Sequence, residues 1–148
     1  PEGNWRTWLL MGGRGAGKTR AGAEWVRGLV DGGAARRIAL VGPTLHDVRE
    51  VMIEGPSGLK AVAAEGNMPH YHVSRRLLVW PNGAAAMAFS AEDPDSLRGP
   101  QFDAAWCDEI GAWSRDERTW DTMAVALRIG AVVNAVSAVL RAENAARA

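Results

Sequence analysis

The sequence is poor in cysteine, in charge of one sign and in long apolar runs. Its single cysteine, Cys107, cannot form a disulfide within the chain and is expected to be a small buried core residue. The 17 Lys and Arg residues balance the 17 Asp and Glu residues, so the broad positive charge of many nucleic-acid-binding proteins is lacking. No apolar run reaches membrane-spanning length, and no secretory signal pattern is present. These absences favour a soluble protein in a reducing, cytoplasmic setting without membrane contact.

The 148 residues contain enough apolar side chains to build one domain with a substantial core. Hydrophobic residues make up 47% of the chain and charged residues 23%, which excludes a disordered or fibrous class. The chain opens at Pro1 rather than at a methionine, which suggests a processed protein or part of a longer one. No internal repeat is evident. One globular domain is therefore predicted.

Short apolar runs alternate with segments of helical periodicity. The apolar runs predict strands at 8–11, 38–41, 73–80, 84–89 and 102–107. Helices are predicted at 19–30, after Thr44 as an N-cap, and at 116–127 with Ser114 as a plausible cap. Pro81-Asn82-Gly83 between two apolar runs predicts a β-hairpin. The pattern predicts an α/β fold in which a mostly parallel sheet is flanked by helices and carries a β-hairpin insertion.

The composition changes near residue 130 and divides the chain. Residues 1–130 contain all of the strands predicted above and are interpreted as the domain core. Residues 131–148 are rich in Ala, Val, Asn and Arg and are predicted to form one weakly amphipathic helix. The status of this C-terminal tail is left open.

The most specific motif lies between the first predicted strand and the first predicted helix. Residues 12–19 read GGRGAGKT and match the pattern G-x-x-x-x-G-K-[ST], known as the P-loop or Walker A motif. Glycines let successive backbone N–H groups turn inward toward an anion, and the helix adds its positive N-terminal end. Lys18 can neutralise phosphate oxygens, and the Thr19 hydroxyl can ligate Mg²⁺. The motif predicts a site for a nucleoside triphosphate.

An acidic pair follows the strand predicted at 102–107. Asp108 and Glu109 stand at its carboxyl end, which is where α/β sheets bind ligands. Asp108 is predicted to hold Mg²⁺ through water, as in a Walker B motif, and Glu109 to orient and deprotonate an attacking water. An Asp-Glu pair at a strand end can also be a solvated surface pair. Together with the glycine loop, the pair predicts hydrolysis.

Arg14 is unusual because it places a second cation inside the glycine loop. An arginine that reaches the γ-phosphate from the same chain can stabilise the charge of the transition state, as an arginine finger does. The alternative is that Arg14 points to solvent or to a neighbouring acidic group. We interpret it as a candidate finger in cis.

Several weaker features have both a functional and a structural interpretation. Arg98 lies in the loop before the acidic strand and can sense nucleotide or reach a neighbouring subunit, or be simply solvated. His70 and His72 share a strand face, but two histidines without a third ligand make a poor metal site. Trp5 and Trp8 flank the first strand and are packing residues or border an adenine.

Three segments together resemble the ATPase domain of the large terminase subunit of tailed phages and gene transfer agents. They are WRTWLLMGGRGAGKTRAGAEWVR, VGPT and SLRGPQFDAAWCDEIGAW. The resemblance extends from Trp5 to Gly130. It implies a P-loop NTPase of the additional-strand, catalytic-glutamate type, with ATP and Mg²⁺ as cofactors. It also implies a motor that docks on the portal of an empty capsid and drives double-stranded DNA inward.

The loop pattern and the resemblance assign roles to particular residues. Nucleotide binding is assigned to Gly12, Gly13, Gly15, Ala16, Gly17, Lys18, Thr19 and Arg20. Metal binding is assigned to Thr19 and Asp108, and catalysis to Glu109, Arg14 and Lys18. The implied partners are double-stranded DNA, the portal protein, the small terminase subunit and further copies of the chain in a ring. The implied location is the cytoplasm of a bacterial host and, transiently, the capsid portal.

The sequence departs from the family pattern in three ways. The upstream segment that reads adenine is short here, because only eleven residues precede the glycine loop. Past Gly130 no further strand and no Thr-rich coupling segment is apparent, and the nuclease domain is lacking. These departures suggest an ATPase core truncated at both ends. Two alternatives therefore stay open: a nucleotide-binding module without turnover, whose sheet lacks one strand, and a helicase-like DNA translocase, since GPT before a helix resembles helicase organisation.

Overall fold

The computed structural model describes residues 6–137, and of residues 128–137 it describes the backbone alone. Within this range the chain folds into one sheet flanked by helices. Its strands are β1 (Thr7–Gly12), β2 (Arg37–Gly42), β3 (His70–His72), β4 (Leu77–Val79), β5 (Ala85–Ser90), β6 (Phe102–Cys107) and β7 (Leu127–Ser137). Its helices are α1 (Lys18–Asp31), α2 (Leu45–Asp47) with a π-helical continuation (Val48–Ile53), and α3 (Asp116–Ala126). No helix among these residues is both long and apolar enough to cross a membrane.

The sheet is parallel except at one end. Its strand order is β1-β7-β6-β2-β5-β4-β3. The first five strands in this order pair in parallel, whereas β4 pairs antiparallel with β5 and β3 antiparallel with β4. The carboxyl ends of the five parallel strands therefore share one edge. This is the edge at which parallel α/β sheets bind ligands.

Both faces of the sheet are covered by core side chains. Along β2, Leu40 belongs to the core beside α1, whereas Val41 belongs to the core beside α3. Successive strand residues point to opposite faces, so a strand covered on both sides needs apolar residues at every position. This requirement explains the uninterrupted apolar runs at 38–41 in β2 and at 104–107 in β6. Both runs were correctly predicted as strands.

Helix α1 packs very closely on the sheet because of one glycine. Gly22 is buried, and a Cβ atom at this position would overlap the indole of Trp106 on β6. Trp106 itself is fully buried, so its ring has little space into which to move. The absent side chain at Gly22 lets α1 pack directly on the indole ring that Trp106 presents from β6.

The hairpin and the Thr44 cap are confirmed. β4 and β5 pair antiparallel around the turn, in which the Trp80 amide donates to the Ala84 carbonyl at 2.9 Å. The hydroxyl of Thr44 accepts a hydrogen bond from the Asp47 amide at 3.1 Å. The helix after this cap widens into a π-helix from Val48, which the sequence pattern did not indicate.

The helix predicted at 131–148 is wrong for the part that the structure describes. Residues 131–137 belong to β7, which lies between β1 and β6 and pairs in parallel with both. The expectation that no further strand follows Gly130 is wrong for the same reason. A strand between two neighbours carries no polar-apolar alternation, and β-branched Val132, Val133 and Val136 favour it. Residues 138–148 of the predicted tail lie outside the described residues.

Smaller corrections concern element ends. Ser114 does not cap α3, because the N-cap is Arg115 and it makes no side-chain capping bond. The strand predicted at 73–80 is shortened to β4, because Val73–Arg75 forms a 3₁₀ turn and Arg76 has a φ of 53°. Leu127, predicted at the end of the last helix, is the first residue of β7. Local turns that interrupt an apolar run leave no mark in hydrophobic periodicity.

We predict that Gly22→Ala lowers the free energy of unfolding by about 1–3 kcal/mol, because the added methyl group overpacks a core that cannot relax. Gly28→Ala is the matched control, since Gly28 lies on the same helix with open space around its Cα. It is expected to raise that free energy by about 0.5–1 kcal/mol through helix propensity. Urea denaturation measures both. Equal effects of the two substitutions would contradict the close packing of α1 on β6.

Candidate functional site

The glycine loop lies between β1 and α1, as its sequence predicts. Gly15 and Gly17 have φ values of 79° and 78°, in the left-handed region that side chains disfavour. A Cβ at Gly12 would come within 2.9 Å of the Cβ of Ala16, so the two ends of the loop approach closely. The loop ends at Gly17, the N-cap of α1. The first N–H groups of α1, which have no partner within the helix, therefore open toward the loop.

Lys18 is buried within this loop rather than extended into solvent. Its side-chain ammonium donates hydrogen bonds to the carbonyl oxygens of Gly12 and Gly13 at 3.0 and 2.9 Å. A buried ammonium needs such acceptors, and Lys18 is only 7% exposed. The loop is thus wrapped around one fixed positive charge.

Thr19 and Asp108 are in contact although β7 lies between β1, the strand before the glycine loop, and β6, the strand before Asp108. The Thr19 hydroxyl lies 3.4 Å from Oδ2 of Asp108, to which it donates a long hydrogen bond. β7 separates β1 from β6, which places the two strands about 9–10 Å apart, or two strand spacings. The start of α1 covers this gap because Gly22 allows the helix to cross closely over β6. The acidic pair therefore reaches the loop although their strands are not adjacent.

Asp108 is buried and only partly hydrogen-bonded. Its amide donates to the carbonyl of Val41 on β2 at 2.9 Å, whereas its Oδ1 atom has no partner among the described residues. Burial, followed by the charge of Glu109, raises the pKa of Asp108 to about 6, and the hydrogen bond from Thr19 and the charge of Lys18 oppose this rise. The pKa of the adjacent Cys107 thiol is raised well above its usual range, chiefly by burial, as expected for a core cysteine.

Glu109 departs from strand geometry and lines a cleft beside the glycine loop. Its φ of 50° is in the left-handed region, where a residue with a side chain is uncommon. The turn that follows is closed by a hydrogen bond from the Ala112 amide to the Glu109 carbonyl at 2.8 Å. Glu109 lines a cleft of about 360 Å³ together with Lys18 and Thr19. We refer to this space as the loop cleft.

The opposite wall of the loop cleft comes from a segment that sequence reasoning missed. It consists of Glu50 and Val51 from the π-helix and Pro56 and Ser57 from the following turn. Wide π-helical turns displace side chains from regular helical positions and often occur at functional sites. The available signal, a polar residue on an apolar helical pattern, is too common to have identified this wall.

The two arginines assigned to the site differ in their surroundings. Arg14 is exposed, lines the loop cleft, and makes no hydrogen bond or ion pair with any described residue. Arg20 also lines the cleft, but its guanidinium binds Oε1 of Glu24 one helical turn away at 2.7 Å. Of these two described arginines, Arg14 is therefore the one whose side chain has no partner at the mouth of the cleft.

The weaker candidates lie apart from the loop cleft. Arg98 pairs with Asp95 at 3.1 Å and borders a separate groove of about 490 Å³ beside α3. The rings of His70 and His72 are 4.6 Å apart, and no cluster of three metal-binding side chains occurs in residues 6–127, whose side chains the structure describes. Trp8 packs against the core beside α1. Trp5 lies outside the described residues.

The atoms gathered here fit a magnesium-bound phosphate chain. Mg²⁺ prefers oxygen ligands, and the Thr19 hydroxyl and Asp108 carboxylate supply them side by side. The unpartnered Oδ1 of Asp108 is the kind of buried polar atom that an ion or its water satisfies. The buried ammonium of Lys18 and the start of α1 supply positive charge for phosphate oxygens.

We predict that Asp108→Asn stabilises the metal-free protein, measured by urea denaturation in EDTA. The carboxyl pKa is about 6 in the fold against 3.8 otherwise, which corresponds to about 3 kcal/mol at neutral pH. Because the folded-state pKa is raised, Asp108 does not lower the wild-type free energy of unfolding below pH 3.8. It lowers that free energy progressively as the pH rises from 3.8 through about 6. The free energy of unfolding of the variant should equal that of the wild type at about pH 3.5 and exceed it most above about pH 7. A gain independent of pH would contradict this origin.

The comparison with protein-family models identifies one family. Residues 9–130 match the family model described as terminase large subunit, T4likevirus-type, N-terminal. Comparison with curated protein sequences gives no match. Among solved structures, the large terminase of a thermophilic bacteriophage superposes with a TM-score of 0.71 at 16% identity, over 87% of this chain and 32% of that one.

Further similar structures carry nucleotides or represent the isolated domain. The Thermus phage P74-26 large terminase ATPase domain superposes with a TM-score of 0.64 at 20% identity, over 88% of this chain and 59% of that one. The large terminase of the thermophilic bacteriophage has also been solved with ATP-γ-S, at a TM-score of 0.67, 17% identity and coverages of 88% and 32%. The chain thus spans about a third of one relative and three fifths of the other. Its fold is that of these large terminase ATPase domains. The chain belongs to the terminase large subunit family, T4likevirus-type, and matches the N-terminal part.

Proposed function

We propose that the chain is the ATP-hydrolysing motor domain of a phage-type large terminase, which couples ATP hydrolysis to the packaging of double-stranded DNA into a capsid. The supporting observation is the contact between Thr19 and Asp108, which joins the glycine loop to the acidic pair. Glu109 and the loop line one cleft as a result. Hydrolysis of a nucleoside triphosphate needs the phosphate-binding loop and the acidic residues to act on the same phosphate group.

The loop binds the phosphate chain in this proposal. The backbone N–H groups of Gly13, Gly15, Ala16 and Gly17 surround the phosphates, and the start of α1 attracts their charge. Lys18 exchanges its carbonyl partners for phosphate oxygens, which is a small movement because its ammonium already lies inside the loop. Arg20 is assigned to the rim of the site, where its pairing with Glu24 leaves it a minor role.

Thr19 and Asp108 hold the metal ion. The hydroxyl of Thr19 and, through water, the carboxylate of Asp108 would supply oxygen ligands to it. Bound Mg²⁺ neutralises charge on the phosphate oxygens of ATP. The raised pKa of Asp108 means that burial leaves its carboxylate poorly solvated, so a cation at this position is a strong stabiliser of the charged form.

Glu109 and Arg14 act on the reacting phosphate. Glu109 accepts a proton from the attacking water and orients it, because its carboxylate borders the cleft at the end of β6. Arg14 stabilises the charge that spreads over the γ-phosphate oxygens in the transition state. Its lack of a partner among the described residues leaves the guanidinium available to move toward that charge.

The remaining elements of the proposal follow from family membership. They are the double-stranded DNA substrate, docking on the portal protein, contact with the small terminase subunit and a ring of copies at the capsid. Zero net charge means that any DNA contact uses a local patch rather than the whole surface. We place the chain in the cytoplasm of a bacterial host, with ATP and Mg²⁺ as its cofactors.

The two alternatives have less support. The nucleotide-binding module without turnover was suggested by a sheet lacking one strand, and β7 fills that position. The helicase-like translocase remains a different use of the same chemistry. An ATPase assay with capsids and their portal distinguishes the two motors, since a packaging motor depends on the portal and a free translocase does not.

We predict that Glu109→Gln lowers ATP turnover by about a hundredfold or more while ATP affinity is kept, because the substitution removes only the proton acceptor. Lys18→Ala is expected to lose affinity and turnover together. Phosphate release and titration calorimetry on the same preparations measure both quantities. Glu117→Gln, which alters an exposed carboxylate on α3 away from the cleft, is the control. Normal turnover by Glu109→Gln would refute the proposed role.

We predict that Arg14→Ala reduces kcat by about a thousandfold and changes the Kd for ATP only a few-fold, because a finger acts in the transition state. Arg36→Ala removes an exposed arginine at the opposite edge of the sheet and is expected to leave both quantities unchanged. Steady-state kinetics together with equilibrium ATP binding separate the two effects. Equal losses in kcat and affinity, or no loss, would exclude a finger.

A further inference from the structure

The backbone between Asp108 and Glu109 is held by a side chain to which the proposed chemistry assigns no role. The indole N–H of Trp113 donates a hydrogen bond to the carbonyl oxygen of Asp108 at 3.0 Å. That carbonyl belongs to the peptide group that joins Asp108 to Glu109. Its orientation sets the direction in which Glu109 leaves the strand.

This peptide group is restrained from two sides. The Asp108 amide is bound to the carbonyl of Val41 at 2.9 Å, so the residue is fixed to β2 before the turn begins. After the turn, the Trp113 amide donates to the carbonyl of Ile110 at 3.0 Å. The indole hydrogen bond closes the segment 108–113 back onto its own start.

The restraint matters because Glu109 has an unfavourable backbone conformation. A φ of 50° in a residue with a side chain costs free energy, and such geometry persists only where surrounding contacts maintain it. Without a bond to its preceding carbonyl, Glu109 can relax toward ordinary strand geometry. Its carboxylate would then move relative to Lys18 and Thr19 in the loop cleft.

Trp113 is well placed to supply the restraint because its ring is anchored. The side chain is 6% exposed and packs in the core beside α3, with Phe89, Leu97 and Met123 in the same cluster. An acceptor for a buried indole N–H lowers the cost of its burial. The acceptor here is the one carbonyl that lies between the two carboxylates, so core packing is connected directly to the geometry of the site.

We propose that Trp113 is a positioning residue, whose indole N–H holds the Asp108–Glu109 peptide so that the Glu109 carboxylate faces the reacting phosphate. This inference deepens the proposed ATPase function and rests on it. Trp113 is not among the residues that line the loop cleft and acts only through the backbone of Glu109. Its loss should therefore affect turnover and spare nucleotide binding.

The test compares Trp113→Phe with Trp120→Phe in the full chain. The first removes the N–H and keeps most of the buried ring. The second removes the same atoms from a partly buried tryptophan in the same core, whose indole makes no hydrogen bond within the described residues. We expect kcat for ATP to fall at least about tenfold in Trp113→Phe, with KM and the Kd for ATP unchanged. Trp120→Phe should lose less stability, because no hydrogen bond is broken, and should keep normal kcat.

Hydrogen exchange gives a second measurement that needs no turnover. The Ala112 and Trp113 amides should exchange faster in Trp113→Phe, while the amides of β6 stay as protected as in the wild type. Unchanged kcat, or equal kcat losses in the two variants, would overturn the positioning role. If the wild-type chain does not hydrolyse ATP, the proposed function fails, and exchange still decides the restraint: unaltered protection of Ala112 and Trp113 would overturn it.

Discussion

The contact between Thr19 and Asp108 is the constraint on which the arrangement of the site depends. These residues come from opposite sides of β7, and neither the loop nor the acidic pair forms a catalytic site by itself. The contact exists because α1 crosses the sheet at close range, which Gly22 allows by offering no side chain to Trp106. A packing detail in the core thus helps to bring the glycine loop and the Glu109 carboxylate to one cleft.

The buried carboxylate shows how this arrangement sacrifices stability for function. Asp108 is held where water cannot solvate it well, and its pKa rises for that reason. In the metal-free protein the charged form is a source of instability. A cation bound beside this carboxylate, as proposed above, would offset that cost by stabilising the charged form. Functional sites often retain such locally unfavourable groups.

The placement of the local motifs on strands and helices is the part of this protein that could be predicted from its sequence. The glycine loop and the strand that ends at Cys107 were recognised because their signals lie within a few consecutive residues. The identity of β7 was missed because a central strand has no alternating pattern, so Ala and Val on their own fit a helix as well. The wall of the loop cleft that contains Glu50 and Ser57 is formed by a π-helix and the turn after it, and hydrophobic periodicity does not indicate a π-helix. The contact of Trp113 could not be predicted, because the acceptor of its indole N–H is known only from the fold.

The position of β7 also has a consequence for how the chain assembles. β1 lies at the edge of the sheet, and its only strand neighbour among the described residues is β7, with Thr7 beside Val132. The ribosome makes β1 and the glycine loop before any other described strand, yet the strand that anchors them is made after all of the others. Pairings that are so distant in sequence close large loops and form slowly. β1 and the glycine loop are therefore synthesised first but are among the last parts of the described chain to be paired into the sheet.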